Sequence, residues 1–162
     1  VVRLPEGGLI HPAGFFQHFF GKAEGLEHFE RAAGNAVGLA ELQRELRALL
    51  AELTAAVLAV ERVLFQVNVR TAMSVGQASG IAMAEAGAAG CHVVQYSPNE
   101  VKSAVAGWGG ADKAQVQQMV QTLLGLPRPP HPADAADAAA LALCHVAMAP
   151  MRDAARRSGV IA

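Results

Sequence analysis

Three carboxylates, Glu61, Asp134 and Asp137, combine residue type and spacing in a way that could carry chemistry. Glu61 closes the apolar run Val57-Leu58-Ala59-Val60, an unusual place for a charge. Asp134 and Asp137 are three residues apart, so on a helix they share one face, in a first turn where the macrodipole favours negative charge. If that helix packs on that strand, the three acids converge, which is costly without a cation. Clustered hard oxygen donors suit Mg²⁺ or Mn²⁺, and two such ions about 4 Å apart activate water and stabilise a leaving oxygen in phosphodiester cleavage. The plainer alternative is that the two aspartates are ordinary first-turn charges and Glu61 is a solvated strand end.

Arg62, Arg70, Lys102 and Lys113 accompany these acids in the chain. Lys102 lies just after an expected helix start and Lys113 just after the glycine-rich stretch Gly107-Trp108-Gly109-Gly110. Cations at helix N-termini oppose the macrodipole, so their placement makes sense if they serve an anionic partner; exposed, solvated lysines are the alternative. Phe65 and Trp108 fall on connectors, where an aromatic ring can stack on an unpaired base or cover the edge of the core. Taken singly, each reads as core packing.

The elements that must position these residues are legible from Leu39 onward. Leu39, Leu42, Leu46, Leu49, Leu50 and Leu53 recur at helical spacing, with Glu41, Arg44, Glu45, Arg47 and Glu52 opposite, which predicts an amphipathic helix. Val57 to Val60 reads as a buried central strand ending in Glu61. Residues 69–89 read as a helix whose small residues Ala72, Gly76 and Gly80 allow another backbone close, and 91–96 as a second strand. Ser97-Pro98-Asn99-Glu100 has the form of a capping box opening a short helix to about Ala106. Asp112 caps the next helix, which carries Val116, Val120 and Leu124 and stops at Gly125. After a proline-rich connector, Pro127 to Pro132, an alanine-rich helix starts near Ala133. Strand, helix, strand and helices in this order predict an α/β layered domain with a parallel portion of sheet.

With 52% apolar and 17% charged residues, the 162-residue chain can bury a core and is not a charge-driven disordered segment. Apolar runs stay below the ~18 residues of a bilayer span. Cys91 and Cys144 lack zinc-site or disulfide spacing, and no basic-then-apolar leader is seen at the start, so a cytoplasmic location is expected. A net charge of -1 argues against binding nucleic acid through a generally basic surface, leaving local patches. Residues 1–38 hold five phenylalanines and three histidines without a clean period; they are set apart as an N-terminal segment, with 39–151 the folded region and 152–162 a tail.

Six ordered segments together resemble the RuvC-type Holliday junction resolvases. They are Ala59-Val60-Glu61-Arg62-Val63, Asn68-Val69-Arg70-Thr71, Gly76-Gln77-Ala78-Ser79-Gly80, Glu100-Val101-Lys102, Ala111 to Val116, and Asp134-Ala135-Ala136-Asp137-Ala138 followed by Leu141 to His145. The resemblance implies an RNase H-like mixed sheet flanked by helices. It implies a homodimeric, Mg²⁺-dependent endonuclease, Mn²⁺ being able to substitute, that resolves four-way DNA junctions in recombination and repair with a branch-migration complex of the RuvA and RuvB type. Carried over residue by residue, it makes Glu61, Asp134 and Asp137 catalytic metal ligands. It places Lys102 and Lys113 near the scissile phosphate, Asn68, Arg70 and Phe65 toward DNA, and a dimer interface on the helix after Arg70. Family members open with a strand bearing a further metal-ligating aspartate before Pro-Gly. Residues 1–38 do not reproduce it, and Glu6 is the acid there in a comparable Pro/Gly setting. The alternative is therefore a non-cleaving branched-DNA-binding protein derived from such a resolvase.

Overall fold

The structure is a computed structural model and describes residues 2–3, 9–10, 36–62 and 69–159. Glu6, Phe65 and Asn68 lie outside the described residues. Those described fall into two compact units, one within Phe19–Tyr96 and the other within Val1–His18 and Ser97–Ala162. In the second, β1 (Val2–Arg3) and β2 (Leu9–Ile10) form an antiparallel ribbon in which Val2 faces Ile10.

In the Phe19–Tyr96 unit the leucine-rich period becomes α1 (Ala36–Leu53), three residues earlier than Leu39. The chain turns through Thr54, at a φ of 44°, into β3 (Val57–Glu61). Helix α2 (Val69–Ala88) then leads to β4 (His92–Tyr96), which pairs with β3 in parallel, Val57 opposite His92 and Glu61 opposite Tyr96. This arrangement of strand, helix and parallel strand is what the element order predicts. Leu50, Ala86 and Cys91 are buried together, with Ala55, Leu58 and Val93 packed against them. The expected buried central strand is corrected: Val57 to Val60 are half-buried, because among the described residues β3 has one sheet neighbour, β4. Along α2, a Cβ added at Gly76 or Gly80 would meet nothing within 4 Å among the described residues, so the small-residue face stands open there.

The second unit continues with α3 (Pro98–Ala106), α4 (Lys113–Leu124) and α5 (Ala133–Arg157). Both expected N-caps form reciprocal boxes. The Glu100 amide donates to Ser97 Oγ at 3.3 Å while Glu100 Oε2 accepts from the Ser97 amide at 2.7 Å. The Gln115 amide donates to Asp112 Oδ1 at 2.8 Å, and Gln115 Oε1 accepts from the Asp112 amide at 3.0 Å. Val116, Val120 and Leu124 recur every four residues and bury one face of α4 against Val105, Ala111, Ala139 and Ala140. The alanines of α5 let its backbone come close, and Cys144 is fully buried on the same helix. Gln117 Nε2 donates to the Pro130 carbonyl at 3.0 Å, fastening the proline-rich connector to α4. Helix α5 runs through Pro150 to Arg157. No helix among the described residues is long and apolar enough to cross a membrane.

Candidate functional site

Glu61 is the last residue of β3, exposed, at the carboxyl end of a parallel strand pair. The ladder runs one step further, the Arg62 amide donating to the Tyr96 carbonyl at 2.7 Å, so backbone pairing on both sides of Glu61 fixes its direction. The carboxyl edge of parallel strands is where α/β folds place ligands, since chain and side chains leave the sheet there together. Arg62 is exposed beside it; Arg70 sits in the first turn of α2.

Within the other unit, Asp134 and Asp137 occupy the first turns of α5, both exposed, while Ala135 and Ala136 between them are buried. That alternation is the helical period at work: the alanines face the core, so the aspartates must face out. Lys113, the first residue of α4, places Nζ 3.1 Å from Asp137 Oδ2. The hydrogen bond from Lys113 to Asp137 raises the lysine pKa, the charge of Asp137 adds to it, and Asp134 contributes a smaller push. A cation at a helix N-terminus is thus held by acids of the neighbouring helix. Both partners are more than half exposed, so the pair contributes at most about 1 kcal/mol to folding. Lys102 lies half-buried on α3. The capping acids Glu100 and Asp112 are engaged with their helix ends.

Asp134 and Asp137 supply hard oxygen donors one turn apart, as a divalent cation prefers. No group of three His, Cys, Asp or Glu side chains that could hold a metal ion occurs among the described residues. These residues therefore offer part of a donor set and not a complete one.

One sequence reading changes here, and one cluster is new. Trp108, read from sequence as core packing, is 56% exposed, on the loop between α3 and α4. A cluster the sequence reading missed links α1 to α2: Arg47 Nε and Nη2 each lie 2.8 Å from the Glu85 carboxylate, and Gln43 Nε2 donates to it at 2.6 Å. The Arg47 hydrogen bond, then that of Gln43, hold the Glu85 pKa down at about 2 against the effect of burial. The available signal was compositional, because Glu85 is the single charged residue of α2 beyond its first turn, and a lone acid in such a helix needs a partner. Burial pushes the Cys144 thiol pKa up, so it stays protonated and is no nucleophile.

Residues 32–145 match the family model described as crossover junction endodeoxyribonuclease RuvC. The match starts near the end of the segment that sequence reading had set apart. Crossover junction endodeoxyribonuclease RuvC of Salinispora arenicola is 52% identical over 75% of this chain and 73% of its own length. The protein of that name from Moorella thermoacetica is 48% identical, over 71% and 69%. Among solved structures, Thermus thermophilus RuvC is similar at a TM-score of 0.65 and 36% identity, covering 70% of this chain and 69% of the other. The T. thermophilus RuvC complex with a Holliday junction substrate gives a TM-score of 0.67 at the same identity and coverage. The half-sheet of parallel strands, the helices about it and the six sequence segments thus have one common source, and the chain belongs to the RuvC crossover junction endodeoxyribonuclease family, with its RNase H-like α/β fold.

Proposed function

We propose that this chain is an endonuclease that resolves four-way DNA junctions by metal-dependent phosphodiester hydrolysis. The observation that carries the reading is the family match over residues 32–145, inside which every proposed site residue falls. Glu61, Asp134 and Asp137 are the proposed catalytic carboxylates, and Mg²⁺ is the proposed ion, with Mn²⁺ as substitute. When bound, the metal would activate water and stabilise the leaving oxygen. The acids would orient it, and Lys113, delivered to Asp137, would stand where a phosphate can exchange for a carboxylate as its partner. Lys102, Arg70, Asn68 and Phe65 are proposed DNA contacts.

The working unit is proposed to be a homodimer in the cytoplasm, joined on the junction by a branch-migration complex of the RuvA and RuvB type. The open small-residue face of α2 supports the dimer. Residues 39–151 are proposed as the resolvase region proper, preceded by the segment 1–38 and followed by the tail 152–162. A non-cleaving junction binder is the second reading, favoured by the lack of the family's first-strand aspartate in residues 1–38.

The test is cleavage of a labelled synthetic four-way junction with Mg²⁺, beside binding of the same junction in EDTA. Paired symmetric nicks support the nuclease. Binding without nicks, at any Mg²⁺ or Mn²⁺ concentration, overturns it in favour of the binder, and absence of binding overturns both.

A further inference from the structure

The loop joining α3 to α4 presents a large aromatic ring to water from a fixed base. Gly107, at a φ of 84°, ends α3 in the left-handed conformation, its amide donating to the Ser103 carbonyl. Five residues later Asp112 opens α4 through its reciprocal box. Both ends of the loop are therefore pinned by helix caps, and the Ala111 amide to the Trp108 carbonyl at 3.4 Å closes it internally. The ring itself dictates the next residues. A Cβ at Gly110 would stand 2.2 Å from Cζ3 and 2.8 Å from Cε3 of Trp108, so the indole occupies the space that any side chain at 110 would need. A Cβ at Gly109 would stand 3.3 Å from Ser103 Oγ. The loop backbone supports one side of the indole, yet the residue remains 56% exposed.

A tryptophan left half in water forgoes much of the transfer free energy its ring could gain in a core. Holding it there on a glycine seat has a rationale if a flat apolar partner covers it. The cations nearest in sequence are Lys102, on the helix that enters the loop, and Lys113, on the first residue of the helix that leaves it. An exposed aromatic ring on a loop flanked in the chain by lysines is the combination that single-stranded or unstacked nucleic acid fits, bases on the ring and phosphates on the amines.

We propose that Trp108, seated on Gly110 in the loop that joins the helices bearing Lys102 and Lys113, stacks on a nucleobase at the crossover of the branched DNA, where continuous duplex stacking ends. This rests on the junction-binding reading above and adds to it a base contact distinct from the phosphate contacts of the lysines.

Trp108 is the sole tryptophan of the chain, so its fluorescence reports on this position alone. The 162-residue chain is titrated in EDTA with a synthetic four-way junction, and binding is measured in parallel by gel shift. Expected are quenching that saturates with binding and, for Trp108→Ala, junction affinity lower by about tenfold, within the range for one stacked base. The salt dependence should be unchanged, since no phosphate contact is lost, and Trp108→Phe should restore most of the affinity. Unaltered emission on a bound junction, with Trp108→Ala binding like the wild type, overturns the stacking role and leaves the resolvase reading intact. A Trp108→Ala loss that Phe does not rescue, accompanied by a lower thermal midpoint, overturns it as well by showing a structural role. Failure of the wild-type chain to bind any junction overturns both readings.

Discussion

Lys113 and Asp137 form a pair that water already screens, and that limits what each residue contributes to folding. Lys113→Ala should therefore change stability by under about 1 kcal/mol, while the slope of log binding constant against log salt for junction DNA falls by about one phosphate. A normal slope in that variant would remove Lys113 from the DNA contacts. Glu61→Gln and Asp137→Asn should each slow junction cleavage by about a hundredfold or more, the effect of losing a few kcal/mol of transition-state stabilisation. Binding in EDTA should persist in both, and a variant that still cuts at the wild-type rate would strip its residue of the catalytic role. The placement of Glu61 at a strand end was legible in sequence because a charge ending an apolar run is conspicuous, and that of the two aspartates on one helix face because three-residue spacing is local. The exposure of Trp108 was not legible, because it depends on what the fold packs over the loop between α3 and α4, which the neighbouring residues in sequence do not fix.

At the scale of elements, the caps were the most readable features. Ser97 with Glu100 and Asp112 bind backbone within three residues, so sequence distance is spatial distance there. Ser97→Ala should cost about 1 kcal/mol, seen as a lower thermal midpoint, since the first-turn amides of α3 lose their acceptor. The Arg47–Glu85 link was hidden for the opposite reason, spanning 38 residues between helices. Its pH dependence follows from the depressed carboxyl. With a folded pKa of about 2 against an ordinary 4.5, Glu85 binds fewer protons folded than unfolded between those values. Its contribution is complete above about pH 4.5 and fades as pH falls toward 2. Urea midpoints measured across that window should drop in the wild type and drop less in Glu85→Gln; equal slopes would show that the link does not titrate with folding.

For the whole molecule, the parallel pairing of β3 and β4 was foreseen from element order, whereas their half-burial was not, because burial depends on what lies beyond each strand. Assembly is testable on α2. A Cβ added at Gly80 would meet nothing within 4 Å among the described residues, so the protomer should keep its thermal midpoint in Gly80→Leu, and helix propensity should even favour it. If α2 joins two copies, the same change should convert a dimer to a monomer in sedimentation; an unchanged dimer would place the interface elsewhere. Pro150 in turn sets where cooperative unfolding stops. Proline has no amide hydrogen, so the Val146 carbonyl loses its regular partner and the helical ladder is interrupted in an exposed stretch. The amides of Met151 to Arg157 should then exchange with deuterium well before those of Ala135 to Cys144, as a separate opening unit. Removal of everything after Ala149 should leave the slow-exchanging set untouched, marking the last residue whose hydrogen bonds are secured by the core.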